Sequence, residues 1–323
     1  MAARWAALRI LWRLTQSGFD WLLLSNPSLD GLAYAAVAKG RGAKVAATYD
    51  DLRARLERPS VSDRLRLLWL KAADAIIPRI TALNITTSHF LRKIIERIAP
   101  ATPTFILPPL VDTDTFKERP GASVDFRSRW SLRDSPVISY LGTYWCVEGL
   151  AVLIEAASRL VQAGDEFRLV ISGAPHQGLD CDSVSNLMQF FDVQDVVVET
   201  GWLPTTDVVG AMSAADILVI PKLDDVANKA GMPAKLAEYL AMGRAVVVSK
   251  VGEIPLYVRD RSNAILCEPG DVVSLTAALR ELLHNSALRH LLASNARDAA
   301  KEHFDYRPII GRLAERMTEL RRK

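Results

Sequence analysis

The sequence predicts an α/β chain of two parallel-sheet domains, the second a doubly wound sheet and the first a smaller, incomplete one. Three observations lead there. From residue 136 onward, short and almost unbroken Val/Ile/Leu runs alternate six times with amphipathic stretches, the pattern of strands covered by helices on both faces. Residues 21–109 repeat that alternation in shorter form. The length, 323 residues, exceeds what one ordinary core encloses.

In the first half the strand runs are "WLLLS", "KVAATYD", "ALNITTS" and "TFILPP". The helical "DGLAYAAVAKGRG", a long arginine-rich helical stretch and a third helix connect them. The second half begins with "VISYL" leading to "EGLAVLIEAASRL", "FRLVISG" to "DSVSNLMQFF", and "VVVETG" to "TTDVVGAMSAA". It continues with "DILVIP" leading to "GMPAKLAEYLAMG", "AVVVS" to "EIPLYV", and "AILCEP" to "DVVSLTAALRELL". Right-handed crossovers turn six such repeats into one parallel sheet, with ligands expected beyond the carboxyl ends of its strands. Two helical stretches follow residue 285. The polar segment 117–135, "KERPGASVDFRSRWSLRDS", contains Pro and Gly, lacks a clear period and reads as the connection between domains. The expected organisation is therefore a reduced domain over residues 1–120, a ligand-binding domain over 121–300, and a helix over 301–323 packing back toward the first domain.

Composition narrows the function classes. Half the residues are apolar and 24% are charged, as in an ordered globular chain. Residues 1–120 carry 18 Lys and Arg against 11 Asp and Glu (a balance of +7), and the remainder carries 22 against 26 (−4). A basic first half suits contact with a phosphorylated acceptor or a membrane surface, or is solvated charge. No apolar run reaches 18 residues, because Arg4, Arg9, Arg13 and Asp20 interrupt the N-terminal stretch. Trp5, Leu8 and Trp12 share one side of the first helix, which reads as a helix packed on a sheet or as one lying at a lipid headgroup surface. No cleavable signal peptide is expected. Cys146, Cys181 and Cys267 are scattered, and with five dispersed histidines they suggest neither a disulfide framework nor a zinc site; a reducing compartment is expected.

The chemistry concentrates in "AGMPAKLAEYLAMGRAVVVS", residues 230–249. The loop before it follows the buried "DILVIP" and so lies at the ligand edge. Gly231 permits close backbone approach, and Pro233 suits a first helical turn. The helix start then presents N–H groups and a positive dipole end to a phosphate. Glu238 is offset from the core positions Leu236, Leu240 and Met242, where its carboxylate accepts hydrogen bonds from two ribose hydroxyls. Lys235, three residues earlier on the same face, neutralises phosphate charge. An exposed Lys–Glu surface pair is the plain structural alternative.

Six pieces in order carry a resemblance: "PPLVDTDTF", "SYLG", "LVISGAP", "GWLP", "AADILVIP" and "GMPAKLAEYLAMGRAVVVS". From the first of these to about residue 310 the chain resembles the family-four retaining glycosyltransferases of the GT-B fold. The resemblance implies two Rossmann-like domains, with a nucleotide sugar held mainly by the second. It assigns the ribose to Glu238, the diphosphate to backbone around Gly231 and Met232, and donor-side loops to Gly142 and Gly173. It departs from the family at three positions. Ala230 stands where a second glutamate is expected eight residues before Glu238, and "LGTYWCVEG" offers Thr143 and Glu148 where an arginine and a lysine are expected. Glu148 facing a diphosphate repels it, so it must point elsewhere, pair with an arginine, or mark weak donor binding; Lys235 is the compensating cation. The first domain is short of its opening strands, leaving roughly three and an exposed apolar edge. Asp50, in "TYDD" at the end of a strand, is the catalytic-side candidate; a turn or helix cap is its plain alternative.

"DTD" at 112–114 reads as turn chemistry rather than a metal motif, and "DCD" at 180–182 as a helix cap. A dehydrogenase is disfavoured because "GRGAKV" has Val45 where the third glycine of the dinucleotide motif falls. Nucleic-acid binding is disfavoured by few aromatics and diffuse charge. The expectation is a metal-independent cytoplasmic glycosyltransferase without a cofactor. It moves a sugar with retention from a nucleotide-diphosphate donor to the hydroxyl of a glycan or lipid-linked acceptor in envelope or polysaccharide synthesis. A peripheral membrane contact through the basic first domain accompanies it. The alternative is a non-catalytic GT-B-like nucleotide-binding or scaffold protein.

Overall fold

The computed structural model describes residues 18–52, 61–117, 121–132, 134–175 and 183–322, with Arg13 and Gln16 besides. The first helix with Trp5, Leu8 and Trp12, His176 and the "DCD" segment lie outside the described residues. The chain forms two compact units, Met1–Pro108 with Arg307–Lys323, and Pro109–Tyr306.

The first unit holds a parallel sheet of β1 (Trp21–Ser25), β2 (Lys44–Tyr49), β3 (Leu83–Thr86) and β4 (Thr104–Ile106), in that order. Four strands stand where roughly three were expected; the fourth is a three-residue edge. Alternate residues face opposite ways along a strand, so Leu24, Val45, Ala47 and Tyr49 pack with Ala35, Ala73 and Ile77 on one face. Ala46, Leu83 and Ile85 pack with Leu313 on the other. Leu313 belongs to the C-terminal helix Tyr306–Arg322, which thus completes the first unit's core. On the edge strand β1, Leu23 is 55% exposed.

In the second unit six parallel strands run in the order β10-β9-β8-β5-β6-β7. These are β5 (Val137–Leu141), β6 (Arg168–Ser172), β7 (Val197–Gly201), β8 (Ile217–Ile220), β9 (Ala245–Ser249) and β10 (Ile265–Cys267). The unbroken apolar runs are explained by two cores, one on each face. Leu141, Val170, Leu218, Val246 and Val248 meet Phe126, Met212, Leu236 and Phe304 on one side. Ile138, Tyr140, Ile171, Val219 and Val247 meet Leu153, Leu160, Leu275 and Leu279 on the other. β5 and β8 are neighbours from which the chain departs in opposite directions, so the switch point lies between them.

The segment 117–135 is not a plain connection. Ala122–Arg129 is a helix of the second unit, opened by Gly121 in the left-handed region at φ +82°. Phe126 and Leu132 are buried in its core, and Arg127 bonds Asp216 at 2.9 Å. Two apolar anchors in a polar sequence leave no periodic signal, because tertiary packing rather than amphipathicity holds the helix. Residues 109–120, read as part of the first domain, also belong to the second unit: the Val111 N–H donates to Phe304 O and Thr113 Oγ1 donates to Asp305 at 2.7 Å. Asp112 accepts from the Asp114 N–H and from Thr115 Oγ1, which makes "DTD" a turn. Among the described residues no His/Cys/Asp/Glu group is arranged for a metal. Cys267 is free and buried, its thiol pushed up to about 11 mainly by burial. Contrary to the cysteine reading, Cys146 is disulfide-bonded. Sequence spacing carries no record of the Cα approach that a bridge needs. No described helix is long and apolar enough to cross a membrane.

Candidate functional site

Open parallel sheets bind ligands beyond their carboxyl ends at the switch point. Here that edge carries the loop Gly142–Trp145 after β5, the 3₁₀ turn Cys146–Glu148, the loop after β8 beginning at Pro221, and the helix Ala234–Met242. Between them lies a cavity of about 360 Å³ whose lining includes Gly142, Thr143, Trp145, Glu148, Lys235 and Glu238. A second cavity of about 530 Å³ shares Leu141, Gly142, Thr143 and Val208 with it and extends to Ser172, Gly173 and Trp202. The apolar wall of the first comes from Val208 and Met212 of the helix Thr205–Ala214.

Two glycines shape this edge. Gly142 has φ +155°, and a Cβ there would meet Lys235 Nζ at 2.5 Å and the Tyr140 hydroxyl at 3.1 Å. Gly173 has φ +151°, and a Cβ there would run into the Gly142 carbonyl oxygen. The loops after β5 and β6 therefore touch backbone to backbone.

Glu148 resolves the problem that its charge posed. It pairs with two lysines rather than an arginine: Oε2 with Lys235 Nζ at 2.6 Å, and Oε1 with Lys222 Nζ. The three side chains are 10–16% exposed. Lys222 also donates to Asn228 Oδ1 at 2.8 Å, and Asn228 in turn donates to the carbonyls of Val147 and Leu223. Lys235 lies 4.4 Å over the Tyr140 ring and donates to its hydroxyl at 3.2 Å, a cation–π and hydrogen-bond clamp. Burial pushes Glu148 upward, but Lys235 and Lys222 together outweigh it and hold the carboxyl below its usual value. Burial lowers Lys235 against the opposing pull of Glu148.

Glu238 is half-buried on the cavity wall. No hydrogen bond or ion pair to its carboxylate occurs among the described residues, and burial raises its pKa against the pull of Lys235. Its helix starts after Pro233, which offers no side-chain cap; the Leu236 N–H donates to Pro233 O at 3.0 Å, so the N–H groups of Ala234 and Lys235 are the ones left to solvent or a ligand. Tyr239, one residue on, points the other way into the core and bonds the Leu141 backbone at 2.9 Å, fixing this helix to the end of β5.

Of the residues singled out from the sequence, the structure brings Gly142, Thr143, Lys235 and Glu238 to one cavity and places Gly173 in its neighbour. Gly231 and Met232 line neither. The Gly231 N–H already donates to Ala227 O, closing the short helix Val226–Ala230, and Met232 packs into the core. Asp50 belongs to the first unit, where its carboxylate accepts from Asn26 Nδ2 and its N–H donates to Asn26 Oδ1, both at 3.0 Å. Burial and Asp51 raise its pKa against the Asn26 hydrogen bond. It caps no helix. Sequence reasoning missed Lys222, Tyr140, Trp145 and Trp202. Lys222 was within reach of it, being a lysine immediately beyond the last residues of a buried strand at the ligand edge.

Comparison with known proteins shows what the chain is similar to. Residues 135–285 match the family described as Glycosyl transferases group 1. The chain is 27% identical over 212 residues to the GDP-mannose-dependent alpha-(1-6)-phosphatidylinositol monomannoside mannosyltransferase of Mycolicibacterium smegmatis, covering 65% of this chain and 54% of that protein. It is 25% identical over 185 residues to alpha-D-kanosaminyltransferase of Streptomyces kanamyceticus, covering 57% and 45%. The chain spans about half the length of these curated relatives. Among solved structures, sucrose-phosphate synthase from Thermosynechococcus elongatus superposes with a TM-score of 0.78 at 19% identity, over 97% of this chain and 77% of that one. Anabaena HepE in complex with UDP-glucose gives 0.77 at 17%, over 97% and 82%. The fold is that of the GT-B glycosyltransferases, and the resemblance read from the sequence stands.

Proposed function

We propose that the chain is a glycosyltransferase that moves a sugar, with retention at the anomeric carbon, from a nucleotide-diphosphate donor to a hydroxyl of a glycan or lipid-linked acceptor in envelope or polysaccharide synthesis. The observation that carries this reading is the cavity at the switch point, where a half-buried carboxylate, Glu238, stands one helical turn from a clamped cation, Lys235. Glu238 receives the ribose hydroxyls. Lys235, Gly142, Thr143 and the start of the helix Ala234–Met242 receive the diphosphate. The adjoining cavity past Gly173 and Trp202 has room for the base. The relatives support the donor class: the mycobacterial protein is named for GDP-mannose and HepE was solved with UDP-glucose.

Chemically, the leaving diphosphate gains charge as the glycosidic bond breaks, and fixed cations and backbone dipoles stabilise that charge. The departing phosphate then accepts the acceptor hydroxyl's proton. Asp50 acts on the acceptor side. The reaction proposed uses neither a metal nor an organic cofactor. Calorimetric titration with UDP and GDP tests the donor reading: Glu238→Ala is expected to weaken binding by about 1–3 kcal/mol, the worth of charge-assisted hydrogen bonds. Absence of binding of either nucleotide to the wild type overturns the donor reading. Binding without hydrolysis or transfer of any nucleotide sugar favours the non-catalytic alternative.

A further inference from the structure

Counted over its own lining, the first cavity is the wrong sign for a diphosphate. Glu148 and Glu238 carry two negative charges and Lys235 one positive. Lys222 does not line the cavity, yet its ammonium is buried against the far oxygen of Glu148 and fixed there by Asn228. With Lys222 counted, Glu148 is neutralised from behind and the charge of Lys235 is free to act toward the cavity. The ammonium of Lys235 is already held at the front by Glu148, the Tyr140 hydroxyl and the Tyr140 ring, against the Gly142 loop.

Resting on the donor reading above, we propose that Lys222 is a positioning residue that makes this site selective for the diphosphate of the donor: a cation that touches no ligand but, through Glu148, sets the charge that Lys235 presents. The arrangement replaces the two cations that the sequence lacks in the loop after β5. The neighbouring carboxylates in sequence are engaged elsewhere. Asp224 is paired at the surface with Lys229 at 2.7 Å, and Asp225 caps the helix Val226–Ala230.

The competing role is a purely mechanical tie between the loops after β5 and β8, and binding of a nucleoside diphosphate against the monophosphate of the same base separates the two. Calorimetry with UDP, UMP, GDP and GMP is run on the wild type, on Lys222→Met, and on the double variant Lys222→Met with Glu148→Gln. Lys222→Met is expected to lower diphosphate affinity about tenfold, the scale of one unit charge acting from about 12 Å at an effective dielectric of about 20, with a much smaller change for the monophosphate. The double variant removes both buried charges, restores the balance, and is expected to bind the diphosphate within about threefold of wild type. Equal losses for mono- and diphosphate, or a double variant as weak as the single one, overturn the proposal. If Lys222→Met does not fold, Glu148→Gln alone decides: it adds net positive charge, so diphosphate binding must tighten at low salt and fall more steeply with added salt, and weakened binding overturns the idea. A wild type that binds no nucleoside diphosphate ends the donor reading and this inference together. A wild type that binds while Lys222→Met binds equally well ends this inference alone.

Discussion

Glu148 shows how a residue that looks obstructive in sequence is made tolerable in three dimensions. Removing one partner of a buried pair leaves the other uncompensated, at a cost of about 3–5 kcal/mol, so Glu148→Ala, which strands two buried ammonium groups, should lower the urea midpoint far more than Glu148→Gln paired with Lys222→Met. The pH dependence follows in sign. The folded-state pKa of Glu148 lies below its ordinary 4.5, so the stability it contributes is complete above that value and is lost as pH falls through the folded one. The double variant should therefore lose less stability than the wild type between pH 5 and pH 3, roughly the span of ordinary carboxylate titration, as read by urea denaturation at each pH. Glu238 is shifted the opposite way by burial. Donor binding needs its ionised form, so nucleotide affinity should begin to fall on acidification at a pH above the ordinary glutamate range. In Glu238→Gln that part of the pH dependence should vanish.

At the scale of elements, the second unit's strands were legible because burial on both faces leaves continuous Val/Ile/Leu runs, and all six appear where those runs lie. The helix Ala122–Arg129 was not, because Phe126 and Leu132 act through contacts with distant residues that a polar local sequence does not advertise. The site divides in the same way. Gly142, Gly173 and Glu238 carry their signals in their own loops and helix, whereas the role of Lys222 arises only when β5 and β8 become neighbours and bring it to Glu148, 74 residues earlier in the chain. Gly231 misled for a related reason: its N–H is consumed in ending a five-residue helix that no sequence pattern announced. The close contact of the loops after β5 and β6 yields an element-level test. Gly173→Ala combines a positive φ with a Cβ driven into the Gly142 carbonyl, so the β5 loop must shift. Backbone strain of this kind costs about 1–3 kcal/mol. Denaturant midpoints should fall accordingly, and UDP or GDP affinity should drop with them because Gly142 and Thr143 line both cavities.

For the whole molecule, the donor residues proposed above all belong to the second unit and Asp50 to the first, which makes the two halves of the proposed reaction separable by mutation. Asp50 sits just beyond β2 with its carboxylate held by Asn26, from the turn after β1, and its backbone carbonyl accepting from Thr87 Oγ1 at 2.9 Å, after β3. It thus ties together three loops at the carboxyl edge of the first sheet, which a purely structural residue also does. Asp50→Asn keeps the shape and a side-chain oxygen for Asn26 while removing the charge, so it distinguishes a tie from a chemical group. If Asp50 acts on the acceptor, nucleotide binding measured by calorimetry should stay within about twofold of wild type, and sugar transfer should fall by about 100-fold, the lower range for losing a positioned acid–base group. If instead transfer is unchanged and thermal stability is the only property to move, Asp50 is a loop tie, and the acceptor-side chemistry must come from another residue of the first unit. A fall in both nucleotide binding and transfer would contradict the division of labour itself, because no donor contact has been assigned to the first unit.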